Sequence, residues 1–171
     1  DRYLFQGLLR RDESSLFGSD SRAKTFYGIS GAYRITEDFP IDGIQELKIR
    51  AARGTAGLRP SYIDRFEVYA TGGGTFSKSQ QGNPDLEPAL QTEDEFGINM
   101  TFLDRFDVEL VHAIRNTEGA FLAVPLSPAQ SGGFLSQVRN AADISGRTTE
   151  LQFNARVVRR PNLSYTLTLT G

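Results

Sequence analysis

Residues 163–171, LSYTLTLTG, alternate strictly between two kinds of side chain. Leu163, Tyr165, Leu167 and Leu169 fall on one side, and hydroxyl residues fall between them on the other. Successive side chains of an extended strand point to opposite faces of a sheet. The stretch is therefore predicted to be a strand with one apolar and one hydroxyl face. What the apolar face contacts decides the fold.

The same period of two recurs along the chain. It is clear in residues 25–36 (TFYGISGAYRIT), 46–54 (ELKIRAARG), 94–103 (DEFGINMTFL), 105–116 (RFDVELVHAIRN) and 147–158 (RTTELQFNARVV), and less regular in 2–12 (RYLFQGLLRRD). The second faces of these strands are charged or amide-bearing rather than merely neutral. They carry Glu95, Asn99, Asp107, Glu109, Arg115, Glu150, Gln152, Asn154 and Arg156. Such a set predicts that the polar faces border water, with the charges paired across strands.

Composition excludes several classes of function. The 171 residues carry a formal net charge of -2, so no basic excess is present to bind nucleic acid. Cysteine is absent and His112 is the single histidine, which excludes disulfides, thiolate catalysis and two-histidine metal sites. The sequence contains no run of 18 apolar residues, so no transmembrane helix is predicted. This test does not detect barrel strands, because they are apolar only at alternate positions. Because the chain starts at Asp1 without a methionine and ends inside a strand, we expect a fragment of a longer protein.

The predicted connections alternate in length. Short or moderate links join residues 102–106, 158–163 and 36–46, whereas long links rich in Gly, Ser, Pro and Asn span 12–24, 54–92 and 116–147. Short turns at one rim and long loops at the other are typical of an outer-membrane barrel, whose tilted strands need about 9–11 residues to cross the bilayer. The predicted fold is all-β: an antiparallel up-and-down meander forming part of a transmembrane β-barrel, with long extracellular loops and short periplasmic turns. A soluble β-sandwich adhesion or ligand-binding module explains the alternation equally well, but not the asymmetry of the connections.

Several stretches resemble TonB-dependent outer-membrane receptors of the SusC/RagA type. Residues 9–18 (LRRDESSLFG) are similar to the family element R-D-G-S-S-R-F-G, with Glu13 and Leu16 in place of the usual Gly and Arg. The segments SGAYRITED (30–38) and ELKIRAARGTAG (46–57), the block from GNPDLEP to VPL (82–126) and VRNAADISGRTTELQFNARVV (138–158) follow in family order. The resemblance covers nearly the whole chain.

The resemblance implies a 22-stranded barrel filled by an N-terminal plug. Residues 1–171 would form a partial barrel domain of about seven strands, without the plug. The implied function is uptake of glycans, peptides or other large nutrients across the Gram-negative outer membrane, with energy delivered by TonB through the plug. Outer-membrane lipid, the plug, TonB and a SusD-like lipoprotein are the implied partners, and nucleic acid is not. We expect no catalytic residue, cofactor or metal site, and the ligand-contacting residues are unknown at this stage.

Three other motifs suggest chemistry only weakly. Residues 71–79 (TGGGTFSKS) resemble a P-loop, but Ser77 replaces the Gly before Lys78 and no helix follows, so a flexible surface loop is preferred. His112 is expected at the rim of the apolar band rather than acting as a general base. Residues 92–95 (TEDE) match no calcium loop and are expected to be a solvated strand entry.

Aromatic residues recur on the predicted apolar faces. The set comprises Tyr27, Tyr33, Phe96, Phe102, Phe106, Phe153 and Tyr165. Tyr27 and Tyr33 are six residues apart on one strand, which is about 20 Å, and the spacing from Phe96 to Phe102 is the same. Such pairs fit aromatic girdles at the two edges of a bilayer, and they also fit a sandwich core.

Overall fold

The computed structural model describes residues 1–14, 23–160 and 162–171, and these form an almost entirely β structure. The strands are β1 (Tyr3–Glu13), β2 (Ala23–Arg34), β3 (Ile44–Leu58), β4 (Val68–Gly72), β5 (Thr75–Gln81), β6 (Ala89–Phe102), β7 (Phe106–Pro125), β8 (Ser136–Arg160) and β9 (Leu163–Thr170). Two short 3-10 helices cover Ile35–Glu37 and Tyr62–Arg65. No helix in the described part of the chain is long and apolar enough to cross a membrane.

Seven of these strands form one antiparallel path, which we call the wall. Its order is β1-β2-β3-β6-β7-β8, with β9 paired to β8. The hairpin β4–β5 lies in the connection between β3 and β6 and touches β8 through a two-pair parallel contact, Gln80 with Ser136 and Gln81 with Gln137. The predicted all-β, antiparallel up-and-down fold is confirmed, and the parallel contact is an addition that the strand pattern did not indicate.

The register of the wall sorts side chains into two faces. One row of directly paired residues is apolar: Tyr3, Tyr33, Ile49, Ile98, Leu110 and Leu151. The row one residue along is polar: Arg34, Lys48, Asn99, Glu109, Gln152 and Thr170. A shift of one residue would exchange the faces, so the alternation of the sequence fixes the register across all seven strands. We call these the apolar face and the polar face.

The apolar face is exposed instead of forming a core. Phe5 is 85% exposed, Phe96 54% and Leu151 48%. The described residues form a single sheet, and no second sheet lies on this face. A β-sandwich requires apolar faces packed on each other, so the sandwich alternative does not describe the part of the chain seen in the structure.

The turn between β6 and β7 is short, as predicted. Leu103 and Asp104 both adopt positive φ, 50° and 54°, which reverses the chain within three residues. The amide of Asp104 donates to the Gln45 side chain at 3.0 Å, and the Leu103 amide donates to the Gly43 carbonyl at 2.7 Å. These bonds hold the left-handed turn against the neighbouring β2–β3 connection. We call this end of the wall the turn side and the opposite end the loop side.

The long links on the loop side are more ordered than the sequence predicts. Residues 54–92 contain the end of β3, the hairpin β4–β5 and the start of β6, and within 116–147 only 126–135 lie outside strands. The predicted contrast between short turns and long connections is confirmed, but the strands reach further into these connections than predicted, because β7 and β8 continue to pair beyond the apolar band. There the alternation of apolar and polar residues disappears while the main-chain ladder persists. Residues 15–22 of the link 12–24 lie outside the described residues.

Buried apolar residues are concentrated on the loop side. We call residues 59–88 and 117–144 the cap. Leu86 is fully buried, Phe134 is 3% exposed, and Ala120 and Val138 are also buried. Ala89, which begins β6 directly after residues 59–88, is also fully buried. The hydrophobic core of the described chain therefore lies at the loop side of the wall.

Candidate functional site: the polar face and the cap

Arg50 is the centre of an ion-pair network on the polar face. Its Nη2 lies 2.9 Å from Glu109 Oε1, and its Nε lies 3.4 Å from Glu95 Oε1. Nη1 donates to Asn99 Oδ1 at 3.4 Å. These contacts join β3, β6 and β7, because Arg50 extends across β6 to reach Glu109. One guanidinium thus links three adjacent strands.

Gly97 makes room for the Arg50 side chain. It is the direct register partner of Arg50 on β6. A Cβ added at Gly97 would collide with the Arg50 side chain, so this residue must be glycine for the guanidinium to cross. The sequence pattern placed Gly97 on the polar face but did not indicate why a glycine stands there.

Further ion pairs connect neighbouring strands of the wall. Arg156 Nη2 donates to both carboxylate oxygens of Asp107, at 2.9 Å to Oδ1 and 2.8 Å to Oδ2. The Thr101 hydroxyl donates to Asp107 Oδ1 at 3.0 Å. Arg115 Nε lies 2.7 Å from Glu93 Oε2. The prediction that these charges pair across strands is confirmed for these residues. All are half exposed, so each pair contributes little stability by itself.

A water-accessible cleft lies beside this network. It has a volume of about 560 Å³ and is bordered by Arg50, Glu95, Glu109, Glu150 and Gln152. Glu150 forms no ion pair with any residue that the structure describes. The lining of the cleft has three carboxylates and one arginine, and among the described residues it holds no hydroxyl or thiol bonded to a general base. Its chemistry is that of a hydrated surface.

Within the cap, residues 82–88 are attached to the first residues of β8 through hydrogen bonds between side chains and main chain. The Gln137 side chain donates to the Gly82 carbonyl at 2.9 Å, and Asn83 Nδ2 donates to the Val138 carbonyl at 2.9 Å. A Cβ at Gly82 would lie 2.6 Å from the Arg65 carbonyl oxygen, so glycine allows this close approach. Amide side chains from both segments therefore replace the strand-to-strand hydrogen bonds that residues 82–88 do not form.

Asn140 contacts two different elements. Its Oδ1 accepts from the Glu87 amide at 3.0 Å, and its Nδ2 donates to the carbonyls of Glu87 at 2.9 Å and Gly119 at 2.7 Å. Gly119, with φ of 65°, lies in an irregularity of β7 where the register with β8 shifts. The Gly119 amide donates to Asp143 at 2.9 Å. A bulge of this kind bends and twists a hairpin.

Aromatic residues form both the core and the exposed surface of the cap. Phe134 is covered by Lys78, whose Nζ lies 4.9 Å from the ring centroid, and by Tyr69, whose ring is 6.1 Å away. On the surface, the rings of Tyr62 and Phe66 contact each other at 5.0 Å while remaining 68% and 50% exposed. Exposed apolar groups on a loop surface are typical of interaction and ligand-binding sites.

The Tyr69 hydroxyl has an altered acidity. It donates to Glu67 Oε2 at 2.6 Å. This hydrogen bond, together with desolvation and the negative charge of Glu67, raises the pKa of Tyr69 above its ordinary value. The pair fixes the Tyr69 ring beside Phe134.

The weaker motifs have structural roles. His112 lies on the apolar face, as predicted, and its Nδ1 is 2.8 Å from the Thr149 hydroxyl. Residues 92–95 lie inside β6, where Glu93 and Glu95 face the polar side and Asp94 the opposite side, so their carboxylates do not converge. Residues 71–79 form the β4–β5 hairpin, with Gly73 and Gly74 at positive φ, and the preference for a flexible loop was wrong.

Aromatic residues concentrate near the turn side of the apolar face. The rings of Tyr3 and Tyr33 stack with centroids 4.9 Å apart, and both hydroxyls donate to Asp38, at 3.2 and 2.9 Å. The Phe106 ring contacts Phe102 at 5.0 Å and Phe153 at 5.9 Å. These contacts place much of the predicted aromatic set along one edge of the apolar band.

Known proteins resemble this chain over nearly its full length. Two proteins of Formosa agariphila, both described as TonB-dependent receptors, are 27% identical over 184 residues and 26% identical over 175 residues. The alignments cover 99% and 96% of this chain but 18% and 17% of the relatives. The chain therefore spans less than a fifth of the length of these relatives. No family model matches the chain.

Solved structures show the same fold. The RagAB peptide transporter matches with a TM-score of 0.83 at 23% identity, covering 99% of this chain and 20% of that chain. The siderophore receptor PirA from Pseudomonas aeruginosa matches with a TM-score of 0.64 at 18% identity, covering 99% and 31%. Both matches include the whole wall.

The exposed apolar face and the ionic polar face, together with the fold shared with solved barrels, define a class of protein: this chain is a segment of β-barrel wall. Among proteins of that class, it is similar to the SusC/RagA-like TonB-dependent receptors. The resemblance predicted from the sequence motifs is thus confirmed.

Proposed function

We propose that the chain is part of the barrel wall of an outer-membrane transporter that takes up large nutrients. Residues 1–171 contribute about seven strands to a closed barrel, and the remaining strands and a plug belong to the full-length protein. The single observation that carries this proposal is the contrast between the two faces of the same strands. Hydrocarbon suits the exposed apolar face, and water suits the face that carries Arg50, Glu109 and Asp107.

Closure follows from the open edges of the sheet. Backbone groups cannot remain unpaired in a bilayer, so a wall that crosses a membrane must continue until it meets itself. The length of the relatives, of which this chain covers 18% and 17%, supports the presence of further strands.

The cargo class follows from the relatives and from the cap. One structural neighbour is named as a peptide transporter. The cap presents exposed rings, including Tyr62, Phe66 and Phe76, which suit contact with peptides or glycans. In this proposal the cap is extracellular, a SusD-like lipoprotein covers it, and TonB delivers energy through the plug. Transport of this kind requires no covalent chemistry, cofactor or metal in the wall.

Cysteine labelling tests the orientation: residues 1–171 contain no cysteine, and any cysteine elsewhere in the full-length protein is replaced first. Phe76→Cys in the cap, Leu151→Cys on the apolar face and Gln152→Cys on the polar face are expressed in the full-length protein. On intact cells, a membrane-impermeant maleimide should label Phe76→Cys and leave Leu151→Cys unlabelled. Outer-membrane fractionation accompanies the labelling. A Phe76→Cys protein that reacts only after cell lysis would overturn the orientation.

Growth tests the transport function. Cells that depend on oligopeptides, or on a glycan, as their sole source of carbon should grow only when the full-length protein is present. Deleting tonB should abolish that growth, while growth on a small sugar that diffuses through porins serves as the control. Nutrient use that persists without the protein, or without TonB, contradicts the proposal.

A further inference from the structure

A groove interrupts the apolar face between β1 and β6. Its volume is about 410 Å³, and its lining is almost entirely apolar. Gly31 and Ala51 form the floor, and the rings of Phe5 and Phe96 stand on either side. This shape differs from the rest of the face, where bulky residues such as Leu110 and Leu151 follow one another across the strands.

The register explains the groove. Phe5, Gly31, Ala51 and Phe96 are successive partners in one row across four strands. Two small residues therefore lie side by side between two phenylalanines. A Cβ at Gly31 would lie 3.4 Å from the Phe5 ring, so even one added methyl group would narrow the groove.

The turn-side end of the groove is polar and carries both signs of charge. Tyr3 and Tyr33 line this end, and their hydroxyls donate to Asp38. Arg2 Nη2 lies 2.8 Å from Asp38 Oδ1, and the Arg2 side chain is 51% exposed. The Arg2 guanidinium has five N–H donors, and its ion pair with Asp38 leaves some of these donors available for another ligand. An apolar channel thus leads to an exposed cation next to a carboxylate.

We propose that this groove binds one acyl chain of a phospholipid with a zwitterionic phosphate–ammonium headgroup. The chain lies on Gly31 and Ala51 between the two phenylalanines. The phosphate binds Arg2, and the ammonium group binds Asp38. A lipid whose headgroup is only anionic could also meet Arg2, but it lacks the ammonium group that binds the Asp38 carboxylate. The inference rests on the proposed function, because acyl chains reach this face only if the wall crosses a membrane.

Native mass spectrometry of the full-length protein tests the site. The detergent-purified protein is titrated with phosphatidylethanolamine or with phosphatidylglycerol, and retained lipid is counted per chain. Wild type should retain one phosphatidylethanolamine molecule after the others are stripped. Ala51→Phe fills the groove and should lower that retention by about tenfold, as expected when about two buried methylene groups lose their apolar contacts. Leu110→Phe adds the same ring elsewhere on the face and should leave retention unchanged.

The headgroup has a separate test. Asp38→Asn should lower the retention of phosphatidylethanolamine, because the carboxylate that attracts the ammonium group is removed. The same substitution should raise the retention of phosphatidylglycerol. Equal retention of the two lipids by wild type would overturn the headgroup assignment. Gly31→Ala provides the same comparison for the groove with a smaller change, if Ala51→Phe does not assemble.

Fractionation of the same samples separates the two proposals. If the protein is in the outer membrane but Ala51→Phe retains lipid like wild type, the groove proposal fails and the transporter proposal stands. If the protein is not in the membrane fraction, both fail.

Discussion

The wall and the cap use apolar residues in opposite ways. On the wall, Phe96 and Leu151 are about half exposed, and the other side of the same strands carries charges. In the cap, Leu86 is fully buried and Phe134 is 3% exposed. The cap is therefore stabilised by burying its own side chains, whereas the wall needs an apolar environment supplied from outside. One chain thus contains a region folded around a core and a region folded around a hydrogen-bonded ladder.

The two regions also differ in their polar contacts. On the wall, charged side chains pair with each other across strands, as Arg156 does with Asp107. In the cap, amide side chains bind the backbone, as Asn83 and Gln137 do. Side chain–backbone bonds suit an irregular segment whose own amides and carbonyls lack a strand partner. The comparison predicts that substitutions will have region-specific effects.

The largest expected effect is the loss of the cap core. Leu86→Ala removes a fully buried side chain and should destabilise the cap by about 3–5 kcal/mol. Leu110→Ala, at a wall residue that is 38% exposed, should cost about 1 kcal/mol in lipid. Hydrogen exchange of the full-length protein should show faster exchange at residues 82–88 and 136–140 only for Leu86→Ala. Equal protection in both variants would mean that the cap has no core of its own.

The next effect separates the two faces of the wall. Leu151→Arg places a charge on the apolar face and should cost about 2–4 kcal/mol near the bilayer midplane. Gln152→Arg, one residue along, lies on the polar face near Glu109 and Glu150 and should change stability by less than about 0.5 kcal/mol. Urea titration of the refolded protein in vesicles measures the difference. Comparable costs at both positions would contradict the assignment of the faces.

A smaller effect concerns the Arg50 network. Gly97→Leu displaces the guanidinium from Glu109 and should cost about 1–3 kcal/mol through crowding. Gly146→Leu is the matched control, since a Cβ at Gly146 meets nothing within 4 Å. The same urea titration should show a loss for Gly97→Leu alone. If both variants lose stability equally, the cost belongs to glycine replacement in strands and not to the arginine crossing.

The smallest effect is a shift in the titration of Tyr69. Its pKa is raised, so the hydrogen bond to Glu67 is fully formed below the ordinary tyrosine pKa and is lost as pH rises through the higher folded-state value. Glu67→Gln should move this ionisation back towards the ordinary value. Ultraviolet difference titration measures it, with Tyr69→Phe identifying the signal. An unchanged titration in Glu67→Gln would show that Glu67 is not the cause.

The sequence predicted the wall much better than the cap. Alternation across residues such as Leu163, Tyr165 and Leu167 identified both faces, because one side of each strand meets a different environment from the other. In the cap, both faces of the β7–β8 hairpin meet either water or irregular segments, so the period of two disappears although the strands continue. The pattern placed Glu109 on the polar face but did not indicate its pairing with Arg50, because that contact crosses β6 and depends on the register of three strands. The role of Gly97 was not indicated either, because it depends on a contact between neighbouring strands.

The groove illustrates the same limit. The small residues Gly31 and Ala51 are twenty positions apart in the sequence, and only the register brings them side by side. The fold of this chain follows from local alternation, whereas its specific surfaces follow from the pairing of distant strands.

Asn140 gives the cap a mechanical property. One amide group binds both the irregularity at Gly119 and the backbone of Glu87, so the bend of the hairpin and the position of residues 82–88 depend in part on the same side chain. A straightening of the hairpin would strain these shared hydrogen bonds. We therefore expect the two elements to move together.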